Sequence, residues 1–189
     1  IYFYFIEVKN YKGPKSSLLH SMRSARGQLQ CPFIFHVCDS IIFDNAPPLE
    51  ENWISGAKSQ SSDQYRTINM SARSTLLKIN DKGEIKYDLA YPGRAGIKDY
   101  DVFWDRLDDI IDNVEEDKVK NLSDCHVIQT MLDIDGIEFK IDRVSDWYDI
   151  GEPYSLAQAR NEIKSSIQVL DKVQENIYII DKSDIKFFH

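Results

Sequence analysis

Cysteine and histidine are sparse in this chain of 189 residues. It has three cysteines, Cys31, Cys38 and Cys125, and four histidines, one of them terminal. An odd number of loosely spaced cysteines predicts neither a disulfide framework nor a zinc site, so we expect reduced thiols and a cytoplasmic protein. The scattered histidines add no metal-binding pattern.

The chain also lacks long apolar runs and an excess of positive charge. No stretch approaches the roughly 20 apolar residues that a membrane helix needs. Its 23 Lys and Arg against 31 Asp and Glu give a formal net charge of −8, which argues against nonspecific binding to nucleic acid or to an anionic membrane. We therefore expect neither as a partner. An acidic protein that handles nucleotide phosphates normally needs a divalent cation between the two sets of negative charge.

The remaining composition is that of an ordinary globular protein. Hydrophobic residues make up 42% and charged residues 29% of the chain, which disfavours disorder. The length suits one α/β domain with a short appendage, predicted at residues 1–168 and 169–189. The sequence opens on an aromatic and β-branched run, Ile1–Ile6, without Met or a polar lead-in. We therefore expect that the chain begins inside a domain.

The first 40 residues predict a parallel sheet. Ile1–Val8 has the pattern of a buried strand. Gly13 and Pro14 begin a helix that continues to Arg26. Pro32–Cys38 is a second apolar strand. A strand, helix and strand in this order form a βαβ unit, whose strands pair in parallel with a right-handed crossover. The predicted fold class is α/β: a three-layer, mostly parallel, Rossmann-like sheet with an inserted antiparallel hairpin.

The rest of the chain alternates strands and helices. The turn Asn80–Gly83 predicts the hairpin, between Thr75–Ile79 and Glu84–Leu89. The other predicted elements are strands at Trp53–Ala57, Gln64–Asn69, Ala90–Ile97 and Ile137–Ile141, and helices at Asp99–Asn113, after Ser123 and at Pro153–Ile167. The acidic stretch Glu115–Asp117 is interpreted as a solvated connection.

Two aspartates are the candidate metal ligands. Asp39 follows a strand predicted to be parallel, at the edge where open α/β sheets bind ligands. Asp149 precedes the last helix, with Gly151 allowing close backbone approach. If they converge, their oxygens suit Mg²⁺, completed by phosphate oxygens and water. The alternatives are that Asp39 is a turn or capping residue and that Asp149 caps the helix that follows.

Three segments resemble the sugar-phosphate nucleotidyltransferase family. Gly13-Pro14 with Ser16 and Ser17 is similar to its glycine-containing turn near the nucleobase. Phe35–Asp39 is similar to its apolar strand ending in a metal-binding aspartate. Val144–Gly151, in which Trp147, Asp149 and Gly151 are spaced by two, is similar to its tryptophan–aspartate–glycine segment with the second metal aspartate. The resemblance spans roughly residues 1 to 160 and implies Mg²⁺, a nucleoside triphosphate and a phosphorylated small-molecule substrate.

The substrate-binding residues that the resemblance implies are Lys78, Arg94 and Gly96. Arg94 and Gly96 lie where the family lines its acceptor pocket, and an arginine there could hold a phosphate bidentately. Lys78 lies nearest to the family's Glu-Lys-Pro segment, which is not visible here. The alternatives are a surface arginine and a solvated strand lysine.

The sequence also departs from the family. The family's Gly-rich loop, which grips the triphosphate, would lie before Ile1, and Cys38 stands where a glycine is common. The segment Asn176–Phe188 resembles the first hairpin of a small-molecule kinase-like domain, as found fused to nucleotidyltransferases in bacterial surface-polysaccharide pathways. Its alternative is an edge hairpin that covers the domain.

The leading hypothesis is a nucleotidyltransferase domain that transfers a nucleoside monophosphate to a phosphorylated sugar or small alcohol and releases pyrophosphate. Without the Gly-rich loop, we expect this chain alone to be inactive. One rival is a metal-dependent glycosyltransferase of similar fold. Such enzymes usually carry a second acid two residues after the strand-end aspartate, and Asp39 is followed by Ser40 and Ile41 instead. The other is a noncatalytic nucleotide-binding or scaffold domain. Homo-oligomerisation is possible under all three.

Overall fold

The structure, a computed structural model, describes residues 4–9, 12–13, 16–59, 62–115 and 118–170. The chain divides into two compact units, Ile1–Trp147 and Tyr148–His189. The predicted tail hairpin, residues 1–3 of the predicted first strand, Pro14 and two residues of the acidic stretch lie outside the described part. The predicted boundary at residue 168 stays a prediction.

Short strands and four helices make up the described part. The strands are β1 (Phe33–His36), β2 (Ser40–Ile42), β3 (Trp53–Ala57), β4 (Thr67–Met70), β5 (Leu76–Asn80), β6 (Leu89–Ala90), β7 (Arg94–Ile97), β8 (Lys140–Val144) and β9 (Trp147–Asp149). The helices are α1 (Leu18–Arg23), α2 (Tyr100–Asn113), α3 (Asp124–Asp133) and α4 (Pro153–Leu170), with a 3₁₀ turn at Val119–Asn121. The first unit is therefore mixed α/β, as predicted.

The main sheet is mostly antiparallel, so the prediction of a mostly parallel sheet is wrong. Its order is β1-β7-β3-β6-β4-β5, with β8 also paired to β3. Among the described strand pairs of the main sheet, β3 and β8 pair in parallel and the others are antiparallel. The predicted βαβ unit is not formed, because residues 4–8 are not a strand and β1 pairs antiparallel with β7.

The hairpin predicted across Asn80–Gly83 is not formed, because β5 pairs with the strand that precedes it; a hairpin of β4 and β5 is present instead. β4 pairs antiparallel with β5 across the link Ser71–Thr75, which is far shorter than the dozen or so residues that a parallel crossover needs. In this link Ser71 Oγ accepts hydrogen bonds from the backbone N–H groups of Arg73 and Thr75. The predicted strand Glu84–Leu89 is wrong except at its last residue, because the chain is irregular until β6 begins at Leu89.

The helices pack over a core rich in aromatic residues. α2 contacts α1 and α3, and α3 contacts β5. Phe33 of β1 stacks on Trp104 with ring centroids 5.3 Å apart and meets Phe103 edge-on at 5.4 Å. Trp104 Nε1 donates to the Leu29 carbonyl at 2.8 Å. This cluster packs β1 against α2. A strand and a helix were predicted at these two places in the sequence.

Two helices begin directly after a serine, and of these caps only Ser123 was predicted. α1 spans Leu18–Arg23, so it is shorter than the helix predicted from Gly13 and Pro14 to Arg26, and Ser17 accepts a hydrogen bond from His20 N at its start. Ser123 precedes α3 and forms a reciprocal capping arrangement with His126. In the described part of the chain no helix is long and apolar enough to cross a membrane.

A buried acid and phenol connect α3 to the segment before β7. Tyr91 donates its hydroxyl to Asp124 Oδ2 at 2.5 Å, and both residues are buried. Burial raises the pKa of Asp124 above its ordinary value of 3.8 and outweighs the lowering effect of the Tyr91 hydrogen bond. Burial, followed by the charge of Asp124, raises the pKa of Tyr91.

We expect the free energy of unfolding of Asp124→Asn to increase relative to that of wild type as the pH rises. The folded-state pKa of Asp124 is raised. The protonated carboxyl group therefore contributes fully to the free energy of unfolding at pH values below its pKa in the unfolded chain, near 3.8. This contribution is lost as the pH rises through the folded value. The amide keeps an acceptor for Tyr91 and does not ionise. Urea unfolding of both proteins from pH 4 to 8 measures this, and a difference in free energy of unfolding that stays constant across the range contradicts it.

Candidate functional site

Three strands of the main sheet end at one edge. β1 and β3 both run antiparallel to β7, so they point the same way, and β8 is parallel to β3. The residues that follow their carboxyl ends include Asp39, Lys58 and Ser145. Crevices outside the carboxyl ends of strands are where open α/β sheets bind ligands. This edge, which we call the carboxyl edge, is therefore the candidate site of the first unit.

A cavity of about 360 Å³ lies at the carboxyl edge. Its size is near the lower end of the range for small-molecule sites, about 300–1,000 Å³. It is formed by the ends of β3 and β8 with one residue of β6. The lining residues are Gly56, Ala57, Lys58, Leu89, Arg143, Val144, Ser145 and Trp147.

Strand register explains which side chains reach this cavity. Gly56 pairs with Arg143 in the parallel β3–β8 ladder, so both lie on the same face. A Cβ at Gly56 would lie 2.7 Å from Leu89 Cδ1 and 2.9 Å from Ile68 Cδ1. Glycine therefore lets these apolar side chains close against the strand, beside the exposed arginine.

The opposite face of the same two strands holds a buried ion pair. Arg94 donates from Nη2 to Asp142 Oδ2 at 2.8 Å and from Nε to Ser55 Oγ at 3.0 Å. Ser55 Oγ donates to the same Asp142 oxygen at 2.8 Å. The Arg94 guanidinium also lies 5.7 Å from the centroid of the Trp53 ring. At 4% exposure, Arg94 is not a surface arginine, and its role as a phosphate ligand stays a prediction.

Asp44 connects this buried network to the turn after β8. Its backbone carbonyl accepts a hydrogen bond from Arg94 Nη1 at 2.8 Å. Its carboxylate accepts from Ser145 N and Oγ, both at 3.0 Å, and from Asp146 N at 2.9 Å. The hydrogen bond from Asp146 N is the largest reason that the pKa of Asp44 lies below its ordinary value. Asp44 thus fixes one wall of the cavity.

Trp147 closes the cavity on the side of β2. Its Nε1 donates to Ser40 Oγ at 2.9 Å, and Phe43 N donates to the Asp146 carbonyl at 3.0 Å. The Tyr65 ring meets the Trp147 indole edge-on, with centroids 4.8 Å apart. The tryptophan singled out by the sequence is therefore held in place by both a polar and an aromatic contact.

Asp39 lies exposed in the turn between β1 and β2, at the carboxyl edge. No group of three or more His, Cys, Asp and Glu side chains that could hold a metal occurs among the described residues. Proteins commonly bind Mg²⁺ through only one or two carboxylates together with substrate phosphates and water. A single exposed carboxylate at this edge fits that kind of site, and the metal-binding role of Asp39 stays a prediction.

Asp149 belongs to the second unit, at the end of β9. Its Oδ1 accepts a hydrogen bond from Gly151 N at 2.8 Å, just before α4 begins at Pro153. The contact forms a turn that precedes α4, and the alternative that Asp149 caps this helix stays a prediction. The contact uses one carboxylate oxygen of Asp149. The role of Asp149 as the second metal ligand stays a prediction.

The three predicted nucleotide-binding residues surround the start of α1. Gly13 has a backbone φ of +104° and accepts hydrogen bonds at its carbonyl from Ser16 N and Oγ. Ser17 Oγ lies 2.8 Å from His20 Nδ1, in addition to capping the helix. Their local contacts form a turn and a cap, and contact with a nucleobase stays a prediction.

The other two predicted substrate residues lie in the sheet. Lys78 is exposed on β5, as expected for a solvated strand lysine. Gly96 pairs with Trp53 across β7 and β3, and a Cβ at Gly96 would lie 2.2 Å from Trp53 Cε2. The structure thus gives Gly96 a packing role beneath the indole ring.

Sequence reasoning missed Lys58, Arg143 and Asp44. Lys58 follows directly on the correctly predicted strand β3. No local pattern distinguishes Arg143 from an ordinary strand arginine. It borders the same cavity as Lys58 because of the β3–β8 register, which the sequence does not reveal. Asp44 and Ser145 are 101 residues apart in sequence.

Neither a protein-family model nor a curated protein matches this sequence, but solved structures do. One, from Bacillus anthracis, is assigned as a glucose-1-phosphate thymidylyltransferase in complex with a sucrose. It aligns with a TM-score of 0.64 and 15% identity over 80% of this chain and 62% of its own. The inositol-1-phosphate CTP transferase of T. maritima aligns with a TM-score of 0.59 and 15% identity over 82% of this chain and 63% of its own.

A third similar structure is a UTP-bound UGPase from Acinetobacter baumannii, with a TM-score of 0.58 and 14% identity over 84% of this chain and 62% of its own. The chain therefore spans less than two thirds of the length of each of these structures. The resemblance inferred from the sequence is confirmed at the level of fold: this chain has the fold of the sugar-phosphate nucleotidyltransferases.

Proposed function

We propose that this chain is the nucleotidyltransferase domain of an enzyme that joins a nucleoside monophosphate to a phosphorylated sugar or small alcohol. The observation that carries the proposal is the combination of this fold with a small-molecule cavity at the carboxyl edge of its sheet. The similar structures include proteins described as transferring nucleotides to glucose 1-phosphate and inositol 1-phosphate. The metabolic setting we propose is precursor synthesis for bacterial surface polysaccharides.

In the proposed reaction, an oxygen of the acceptor phosphate attacks the α-phosphorus of the triphosphate in line. The new P–O bond forms as the bond from the α-phosphorus to the bridging oxygen breaks, and pyrophosphate leaves with that electron pair. No covalent enzyme intermediate is needed, so the protein acts by positioning and by charge complementarity. The rigid Arg94–Asp142 network supports the edge where the acceptor binds.

The same proposal assigns roles to the predicted residues. The turn of Gly13, Ser16 and Ser17 faces the nucleobase. Asp39 and Asp149 would hold Mg²⁺, which would neutralise phosphate charge. Asp39 is well suited because its carboxylate is exposed at the carboxyl edge.

The test is pyrophosphate release by the full-length protein with a panel of nucleoside triphosphates and sugar phosphates. We expect Asp39→Ala to reduce kcat/KM by at least 100-fold, on the order of the roughly 2.7–4 kcal/mol lost when a key electrostatic contact to the transition state is removed. Asp101→Ala, at an exposed aspartate in the first turn of α2, is the matched control and should retain activity.

The outcomes also separate the rival functions. Turnover that survives Asp39→Ala and Asp149→Ala together overturns the metal assignment. Hydrolysis of a nucleotide-sugar without pyrophosphate formation from a triphosphate indicates a glycosyltransferase. Nucleotide binding by calorimetry without any turnover indicates a noncatalytic domain.

A further inference from the structure

Two cations line the cavity at the carboxyl edge, and the Asp44 carboxylate, which holds Ser145 of its wall, accepts three hydrogen bonds. Among the described residues that line it, Lys58 and Arg143 are cations and none is an aspartate or glutamate. Both cations are exposed. Arg143 Nη2 donates a weak hydrogen bond to Met70 Sδ at 3.5 Å. Neither cation forms a salt bridge within the described part of the chain.

The arrangement of the two cations follows from the backbone. Arg143 lies on the same face as Gly56 in the β3–β8 ladder, and Lys58 is two residues beyond Gly56, where β3 has ended. At Gly56 the side chains of Leu89 and Ile68 close against the strand, so the floor of the cavity between the two cations is apolar. The two charged groups therefore border one cavity, although their positions are 85 residues apart in the chain.

The larger cavity nearby has the opposite character. It measures about 530 Å³ and is bordered by Glu50, Glu51 and Asp142 as well as by Lys140 and Arg143. Its carboxylates repel an anion, and Lys140 is paired with Glu138 at 2.6 Å. A phosphate therefore has a better electrostatic match in the smaller cavity.

We propose that Lys58 and Arg143 bind the phosphate monoester of the acceptor, an assignment that rests on the proposed function and names the groups that recognise its substrate. A phosphate monoester carries a charge of about −1.5 to −2 at pH 7, which matches one lysine and one arginine. The guanidinium supplies paired N–H donors for two phosphate oxygens. Leu89 and Trp147 border the carbon skeleton of the same molecule.

The structure favours Lys58 over Lys78 as the lysine of this site. Lys78, the nearest candidate by sequence position, lies on β5 and does not line the cavity. The cavity volume suits one small molecule.

The test is calorimetric titration of the full-length protein with glucose 1-phosphate and with inorganic phosphate, in the absence of nucleotide. Unphosphorylated glucose is the matched ligand control. We expect Lys58→Gln and Arg143→Gln each to weaken binding of both phosphates about tenfold or more, as for lost hydrogen bonds to charged groups. Lys82→Gln, at an exposed lysine in the turn Asn80–Gly83, should bind as wild type does, and thermal unfolding verifies that every variant is folded.

Binding of glucose 1-phosphate to the Lys58→Gln/Arg143→Gln double variant with wild-type affinity overturns the assignment, as does failure of wild type to bind either phosphate. The proposed function is judged separately, by pyrophosphate release. Turnover with an unchanged KM for the acceptor in the double variant retains the function and removes the assignment. Phosphate binding that depends on both residues, in a protein without turnover, retains the assignment and removes the function.

Discussion

Replacing Arg94 with methionine is expected to lower the free energy of unfolding by about 3–5 kcal/mol, the range for removing one partner of a buried ion pair. Arg94 has 4% of its surface exposed, and the Asp142 side chain has 13%. Without the guanidinium, Asp142 keeps only the Ser55 hydroxyl as a described donor, and the carbonyl of Asp44 loses its donor as well. Urea unfolding monitored by circular dichroism measures the change.

Arg73→Met is the matched control, because Arg73 is an exposed arginine in the β4–β5 link and surface substitutions change stability by about 0.5 kcal/mol or less. Adding Asp142→Asn to Arg94→Met should cost less than the sum of the two single changes, since the charge left unpaired by the first is removed by the second. If Arg94→Met is as stable as Arg73→Met but binds phosphate more weakly, Arg94 is a ligand-binding residue, as the sequence predicted.

Local sequence patterns predicted several elements at or close to their observed bounds. The helix Asp99–Asn113 was predicted to within one residue of α2, because its apolar residues recur at helical spacing. The strand Trp53–Ala57 was predicted with the bounds of β3. Ser123 was predicted as the residue that precedes α3, since its hydroxyl can satisfy free N–H groups of the first turn.

Strand direction could not be read in the same way, because it depends on pairing between distant segments. The apolar strand Pro32–Cys38 has the same sequence pattern whether its neighbour is parallel or antiparallel. Its partner β7 begins at Arg94, about 60 residues later.

The residues of the site also depend on pairing between distant segments. Asp39 was recognised from its place after a strand, whereas Lys58 and Arg143 border one cavity only because β3 and β8 pair with Gly56 opposite Arg143.

Gly96→Ala is expected to destabilise the protein by about 3 kcal/mol, at the upper end of the usual cost of overpacking. The new Cβ would lie 2.2 Å from Trp53 Cε2, 2.3 Å from Nε1 and 2.7 Å from Cζ2, distances that van der Waals contact does not allow. The indole is 1% exposed and the Arg94 guanidinium lies against its ring, so it cannot move away without disturbing the ion pair. Urea unfolding is again the measurement.

Gly27→Ala is the matched control, because a Cβ at Gly27 meets no described atom within 4 Å. It should change the free energy of unfolding by less than about 0.5 kcal/mol. In a Trp53→Leu background the three clashing ring atoms are absent, so Gly96→Ala should cost less there than in wild type, although Trp53→Leu itself loses buried contacts. An equal cost in both backgrounds contradicts the packing role. If Gly96→Ala instead leaves stability unchanged and weakens acceptor binding, Gly96 lies in the substrate pocket, as the sequence predicted.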